Sequence, residues 1–308
     1  MKFLKKIFSV KNKGKHKVWN ILGIKFSFKK RDIIKKFIHK FCFNSKTFKY
    51  DLAYLEECDK NIQIFCTYHY DEAVRILQKK GWYIPISTGS SLVDNFKNIL
   101  QDNIGINISE KNNTFADLTA QYWIWKNVNA EYVGLENHNK HLLFEPSKIK
   151  YTAFRRISEY LYNYYFFKYS KNKIYNKICS YDIVLPYKLT FKGASLYEQY
   201  SDFHDASKYV EFESILLKNN PEYKDYILQQ RDLKEYYLCN VRIMKKNLFD
   251  AFCEFIFPSL FEYEETYKYN EGKYPAWFNE RFFNAWLNYQ IDNNHLKILE
   301  IDSCSIKI

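Results

Sequence analysis

Three stretches of this 308-residue sequence carry side chains that could do chemistry, each at a place where a strand would end. The densest is Glu136-Asn137-His138-Asn139-Lys140-His141. Two imidazoles and a carboxylate after a buried strand are the donors that a divalent metal or a phosphate recruits. The second stretch is a polar loop, Asp102-x-x-Gly105-x-Asn107-Ile108-Ser109-x-Lys111-Asn112. The third sets His204 between Asp202 and Asp205, downstream of a strand that Asp182 opens. The common phosphate-loop, dinucleotide, nucleophile-elbow and zincin signatures are absent, and no Asp-x-Asp occurs.

These loops need elements to hold them. Residues 61–68 read as a strand, 71–80 as a helix closed by Gly81, and 83–86 as a second strand. Thr114-x-x-Asp117 has capping-box spacing and predicts a helix running to about Val128. Residues 131–136, 181–186, 241–244 and 296–301 read as further strands. An amphipathic helix over 247–265 should kink or end near Pro258, and another begins at 279–288. Strands alternating with helices predict an α/β body with a mainly parallel sheet, whose ligands bind at strand ends.

Composition bounds the function classes. With 47% hydrophobic and 27% charged residues the chain folds, and only 8 Gly and 6 Pro exclude repetitive architectures. The net charge of +12 is misleading as a whole. Residues 1–49 hold sixteen Lys and Arg against one acid, Asp32, whereas the rest carries 31 bases and 34 acids. That near-neutral body argues against a nucleic-acid partner. Within the basic segment, Ile33, Ile34, Phe37, Ile38 and Phe41 follow helical spacing with lysines between, which predicts a basic amphipathic helix for an anionic membrane surface. Trp19 to Phe28 reads as a hairpin bent at Gly23. The sequence divides into a basic amphipathic N-terminal extension, 1–58, and a body, 59–308. Seven scattered cysteines without a CxxC pair predict reduced thiols and a cytoplasmic protein. No secretory leader or spanning segment is expected.

The ordered blocks Gly105-Ile-Asn107-Ile-Ser109-Glu-Lys111-Asn112, Leu118 to Asn127, Tyr132-Val-Gly-Leu135, Asp182 to Pro186, His204, Asn240 to Lys246, Phe249-Asp250, Phe257-Pro258 and Glu280-Arg281 with Asn284-Ala-Trp286-Leu287 carry a resemblance. Over roughly residues 61–290 the chain resembles the bacterial capsular and exopolysaccharide glycosyltransferases of the domain of unknown function 4422 family, which includes galactofuranosyltransferases. The Lys-rich segment from Lys11 to Lys25 also looks like a leader seen on surface-polysaccharide transferases.

The resemblance implies a GT-A-like nucleotide-binding α/β sandwich and transfer from a nucleotide-sugar donor, a UDP-sugar such as UDP-galactofuranose, to a growing capsular or lipid-linked glycan. The enzyme would work at the inner face of the plasma membrane, held there by residues 1–49. Most GT-A enzymes bind Mn²⁺ or Mg²⁺ through Asp-x-Asp; here Glu136 and His138 would be the ligands, or the site is metal-independent. The family pattern G-L-x-H-x-R-R becomes Asn137, Asn139 and Lys140 at its three cationic positions. By the same resemblance Asp102, Asn107, Lys111, Asn112, Glu136, His138, His204 and Asn240 contact the donor. Glu280 is the first choice for the catalytic base and Asp182 the second. Trp123, Trp125 and Trp286 read as core rather than as sugar platforms. Two rivals stand beside this reading: a catalytically degenerate membrane-associated scaffold, and a sugar-phosphate transferase, which would need an acidic metal-binding cluster.

Overall fold

The structure, a computed structural model, describes residues 8–13, 16–21, 24–29, 52–69, 81–92, 99–144, 171–268 and 271–305. The helices expected over 33–41 and 71–80 lie outside these residues. The chain forms two compact units, Met1–Lys46 and Thr47–Ile308. The first holds an antiparallel sheet of β1 (Phe8–Lys13), β2 (His16–Ile21) and β3 (Ile24–Lys29). Trp19 pairs with Phe26 and Ile21 with Ile24, the register of the expected hairpin. The unit ends earlier than the anticipated boundary at 58. Helix α1 (Leu52–Glu56) belongs with the body, where Leu55 and Cys58 enter the core and the Tyr54 hydroxyl accepts from the Gly81 amide.

The second unit is built on an eight-stranded sheet. Strands β4 (Ile62–Tyr68), β5 (Tyr83–Ser87), β6 (Leu100–Gln101) and β7 (Tyr132–Asn137) lie parallel in the order β6-β5-β4-β7. β4 is buried along its whole length, as a strand covered on both faces must be. The expected parallel order stops there. β10 (Arg242–Lys245) runs antiparallel to β7 and to β9 (Ile183–Pro186), and the sheet is mixed. A two-residue turn joins β7 to β8 (Lys140–Leu143), with Asn137 opposite Lys140. The last strand, β11 (Ile298–Ser305), pairs parallel with β9 through Ile301 and antiparallel with β8 from Asp302 onward. Strands β7, β10, β9, β11 and β8 thereby close a ring. Gly134 lies where β7 is pressed between neighbours; a Cβ there would meet Ile243 Cγ1 at 2.9 Å and Ile64 Cγ1 at 3.1 Å.

Helices cover both faces. One core joins the sheet to α2 (Asn112–Phe115), α3 (Leu118–Asn127), α5 (Leu196–Phe203), α6 (Ala206–Asn219), α8 (Lys246–Tyr267) and α9 (Tyr274–Asn294), with α7 (Lys224–Gln229) adding Ile227. The other face packs on α4 (Lys171–Ile178). Two local expectations change. Thr114 lies in α2 and donates back to the Lys111 carbonyl, and α3 begins after Asp117 without a side-chain cap. The capping box is instead Ser195 with Glu198, at α5. Helix α8 runs through Pro258, which sits on its exposed side. Cys58, Cys66, Cys179, Cys239 and Cys253 are free thiols, as anticipated.

Candidate active site

Side chains alternate across a strand, and this parity decides what Glu136 and its neighbour do. Glu136 points to the α4 face, 1% exposed. There one carboxylate oxygen accepts from the Tyr83 hydroxyl at 2.9 Å and lies 2.9 Å from His141 Nδ1, while the other accepts from the Leu142 amide at 3.0 Å. Asn137 points to the opposite face, with Val133 and Leu135. The expected metal pair is therefore corrected: Glu136 is spent inside the core and does not share a face with the groups around Asn137. Among the described residues no three His, Cys, Asp or Glu side chains group to hold a metal.

What gathers on the α3 face, at the carboxyl ends of β4, β5 and β7, is a different cluster. His69, just past β4, brings Nε2 to 2.6 Å from Asp117 Oδ1, and its Nδ1 lies 2.8 Å from Thr88 Oγ1. Asn137 Nδ2 donates to the second Asp117 oxygen at 2.6 Å. Burial pushes the Asp117 carboxyl up, but the contacts from His69, Asn137 and Thr67 outweigh it and hold it below the usual carboxylate range. His138 occupies the β7–β8 turn, its ring edge-on to His69 with centroids 5.9 Å apart. Burial lowers its pKa, and His69 adds to the effect.

Lys140, Cys239 and Glu280 extend the cluster. Lys140 Nζ contacts Cys239 Sγ. Burial works against the Lys140 ammonium, yet Cys239 and the carboxylates of Glu280 and Asp117 hold its pKa above that of an ordinary lysine. Cys239 has φ of +84°, a conformation a non-glycine residue adopts only when its surroundings impose it. The constraint is visible two residues earlier: Asn284 accepts from the Tyr237 amide at 2.8 Å and donates to its carbonyl at 2.9 Å. Glu280 sits in the second turn of α9, not at the helix start, with its side chain 27% exposed and 3.4 Å from Arg281. Burial raises its pKa; Arg281 and Lys140 oppose this and Asp117 reinforces it. Behind lies a buried polar chain: Arg242 donates to Gln121, Gln121 to Asn279, and Asn279 to Asn240 at 2.7 Å. Arg242 is clasped between Phe252 and Phe283.

Of the residues expected from sequence, the fold thus brings His138 and Glu280 together and sets Asn240 behind them. Asp182 is corrected as a base. It opens β9 beside Lys245, which is paired with Tyr132 at the opposite end of β7, and its oxygens take Lys245 Nζ at 2.8 Å and the Lys297 amide at 2.7 Å. Lys111 turns to the flank, bound to Glu264 at 2.6 Å in a groove with Ile108, Tyr122 and Phe261. Asp102 is a staple: its carboxylate accepts from the Gly89 and Ser90 amides and from the Ser109 and Thr119 hydroxyls. Asn107 folds the same loop onto Asn103 and Gly105, and Asn112 packs beneath Gly89, whose φ is +72°. His204 stacks on Trp277 of α9, and Asp205 caps α6 through Ser207. Trp123 and Trp286 are fully buried, and Trp125 stacks on Phe257. His69, Asp117 and Cys239 are new. His69 carries a sequence signal, because it ends the first strand of an α/β body; Asp117 was hidden in capping-box spacing.

With this geometry in place, the likenesses to known proteins are informative. No curated protein matches the chain in sequence. A solved structure, the WbbM bifunctional glycosyltransferase in its apo form, superposes with a TM-score of 0.71 at 24% identity, covering 80% of this chain. The chain spans 46% of that protein, less than half its length. The α/β fold is shared. The profile of the family described as Domain of unknown function (DUF4422) matches residues 63–292, three quarters of the sequence, and the chain belongs to that family.

Proposed function

We propose that this protein is a glycosyltransferase with a GT-A-like body that moves a sugar from a nucleotide donor to a saccharide acceptor. The observation that carries the reading is Glu280: a carboxyl with a raised pKa, beside Lys140 and Arg281, at the strand-end mouth of a fold shared with a glycosyltransferase. In the proposed step the acceptor hydroxyl oxygen bonds the anomeric carbon of the donor. Its proton goes to Glu280, and the bonding pair of the broken bond leaves with the nucleoside diphosphate. Lys140 supplies positive charge toward that leaving group, in the role its hairpin position suggests. The donor is a UDP-sugar, with UDP-galactofuranose the specific form the family likeness suggests, and the acceptor a capsular or lipid-linked glycan. No step uses a metal. Residues 1–49 hold the protein at the anionic inner face of the plasma membrane.

A thermal-shift panel of UDP, GDP, CDP and TDP, each with and without Mn²⁺, tests this. A ligand at about 100 times its Kd adds about 2.7 kcal/mol to the folded state. UDP alone should shift the melt. A shift that requires Mn²⁺ refutes the metal-independent reading, and no shift with any nucleotide refutes the transferase. One observation favours the scaffold as the second reading: Asn137 stands where the family resemblance has a cationic side chain, and it is engaged by Asp117. Deleting residues 1–49 should release the protein from anionic liposomes; retained binding overturns the membrane assignment.

A further inference from the structure

Helix α9 carries Trp277, Glu280 and Arg281 at i, i+3 and i+4, so the three share one stripe about a turn long. His204, the residue that ends α5, lies flat on the Trp277 indole, with ring centroids 3.7 Å apart and planes inclined by 21°. Tyr274 meets the same indole edge-on at 5.1 Å, and Tyr200 lies 4.9 Å from the imidazole. These rings are not core in the manner of Trp123 and Trp286: His204, Trp277 and Tyr274 are all partly exposed, and the adjoining Phe203 is 69% exposed. Burial, helped by the charge of Arg281, brings the His204 pKa down to about 4. At neutral pH the stack is therefore uncharged and flat, with ring nitrogens that donate and accept at its rim. Beneath it Tyr200 Oη and Arg281 Nε are buried and have no hydrogen-bond partner among the described residues, with Arg281 Cζ 5.2 Å from the Tyr200 ring. A partly exposed aromatic face bordered by hydrogen-bonding groups is suited to a pyranose or furanose ring, which offers an apolar C–H face and a rim of hydroxyls.

We propose that the stacked pair Trp277 and His204 forms the acceptor subsite, on which the acceptor sugar ring lies so that its hydroxyl reaches Glu280. This rests on the transferase reading above and adds to it a place for the acceptor ring. The rings provide the contact area, and the one-turn offset to Glu280 sets the hydroxyl that is deprotonated.

The test is saturation-transfer NMR with methyl β-D-galactopyranoside and methyl α-D-glucopyranoside as probes, on the full chain with UDP present. Saturation should reach the ring protons of at least one probe in the wild type. It should fall at least fivefold in Trp277→Ala and in His204→Ala. Trp277→Phe, which keeps a ring and the packing, should keep at least half of it. UDP affinity should stay within threefold in both Trp277 variants. Undiminished transfer in Trp277→Ala, no transfer to either probe in the wild type, or a loss of UDP affinity in its place overturns the assignment. Sugar contact that depends on Trp277 in a protein that binds no nucleotide would keep the platform and remove the transferase. UDP binding with sugar contact indifferent to Trp277 would do the reverse.

Discussion

Replacing Asp102 probes whether this carboxylate is a staple or a ligand contact. Both oxygens are saturated by protein donors: the Gly89 and Ser90 amides at 2.9 Å each, and the Ser109 and Thr119 hydroxyls at 2.6 Å each. In Asp102→Ala the Thr119 hydroxyl can fall back on the Ala116 carbonyl at 3.1 Å, and the Ser90 amide is only partly buried. The Gly89 amide and the Ser109 hydroxyl are left stranded. At about 1–3 kcal/mol for each buried unsatisfied donor, with the charge-assisted bonds lost as well, the expected cost is about 3–5 kcal/mol. Asp102→Asn keeps the shape but turns a donor toward donors, at a cost of about 2–3 kcal/mol. Against a total stability of about 5–15 kcal/mol the alanine variant is severely weakened. Urea unfolding reads the global term. Amide exchange at Gly89 and Ser90 in the asparagine variant reads the local one, and should accelerate by about 30- to 150-fold. A loss below about 1 kcal/mol in Asp102→Ala would refute the staple. So would Asp102→Asn abolishing UDP binding with Gly89 exchange unchanged, which would return Asp102 to the donor site.

Glu280→Gln should reduce transfer by about 10²- to 10⁴-fold, measured by product formation, while UDP binding is kept. A base must be ionised, so wild-type turnover should rise with pH through an apparent pKa above the ordinary glutamate range; Lys140→Met should move that limb higher still, because Lys140 opposes the upward shift. The Asp117 carboxyl is depressed in the fold, so its stabilising contribution is present above the unfolded value of about 3.9 and lost as pH falls through the lower folded value. Acid melts of Asp117→Asn should lack that segment of the pH dependence. Gly134→Ala drives a methyl into Ile243 and Ile64 and should cost about 1–3 kcal/mol in urea unfolding.

Much of the scaffold was legible because hydrophobic runs of strand length are hard to hide. The strands at 62–68, 83–87, 132–137 and 183–186 stand close to where their residues predict them. The site was less legible, for reasons of parity and pairing. Nothing local says whether Glu136 or Asn137 faces α3; the register of β7 against β4 and β10 decides it, and a one-residue slip exchanges them. Asp182 looks catalytic at the start of a strand, but β10 is antiparallel to β7 and to β9, which leaves it beside the amino end of β7, away from the cluster. Glu280 was found through its family block. Its raised pKa comes first from burial, opposed by Arg281 and Lys140 and reinforced by Asp117; Lys140 and Asp117 lie more than a hundred residues away, which no spacing rule connects.

The ring of β7, β10, β9, β11 and β8 has a bearing on how this body meets other chains. An open sheet offers unpaired amides and carbonyls along its border, where a foreign strand can zip on. Here one border closes on itself, and the other is β6, only Leu100 and Gln101 long, with the first three residues of β5 beside it, where Pro85 has no amide to offer. Among the described residues of the body, backbone-templated association therefore has almost nowhere to begin. Crowding at a surface should therefore not drive these strands into intermolecular sheets.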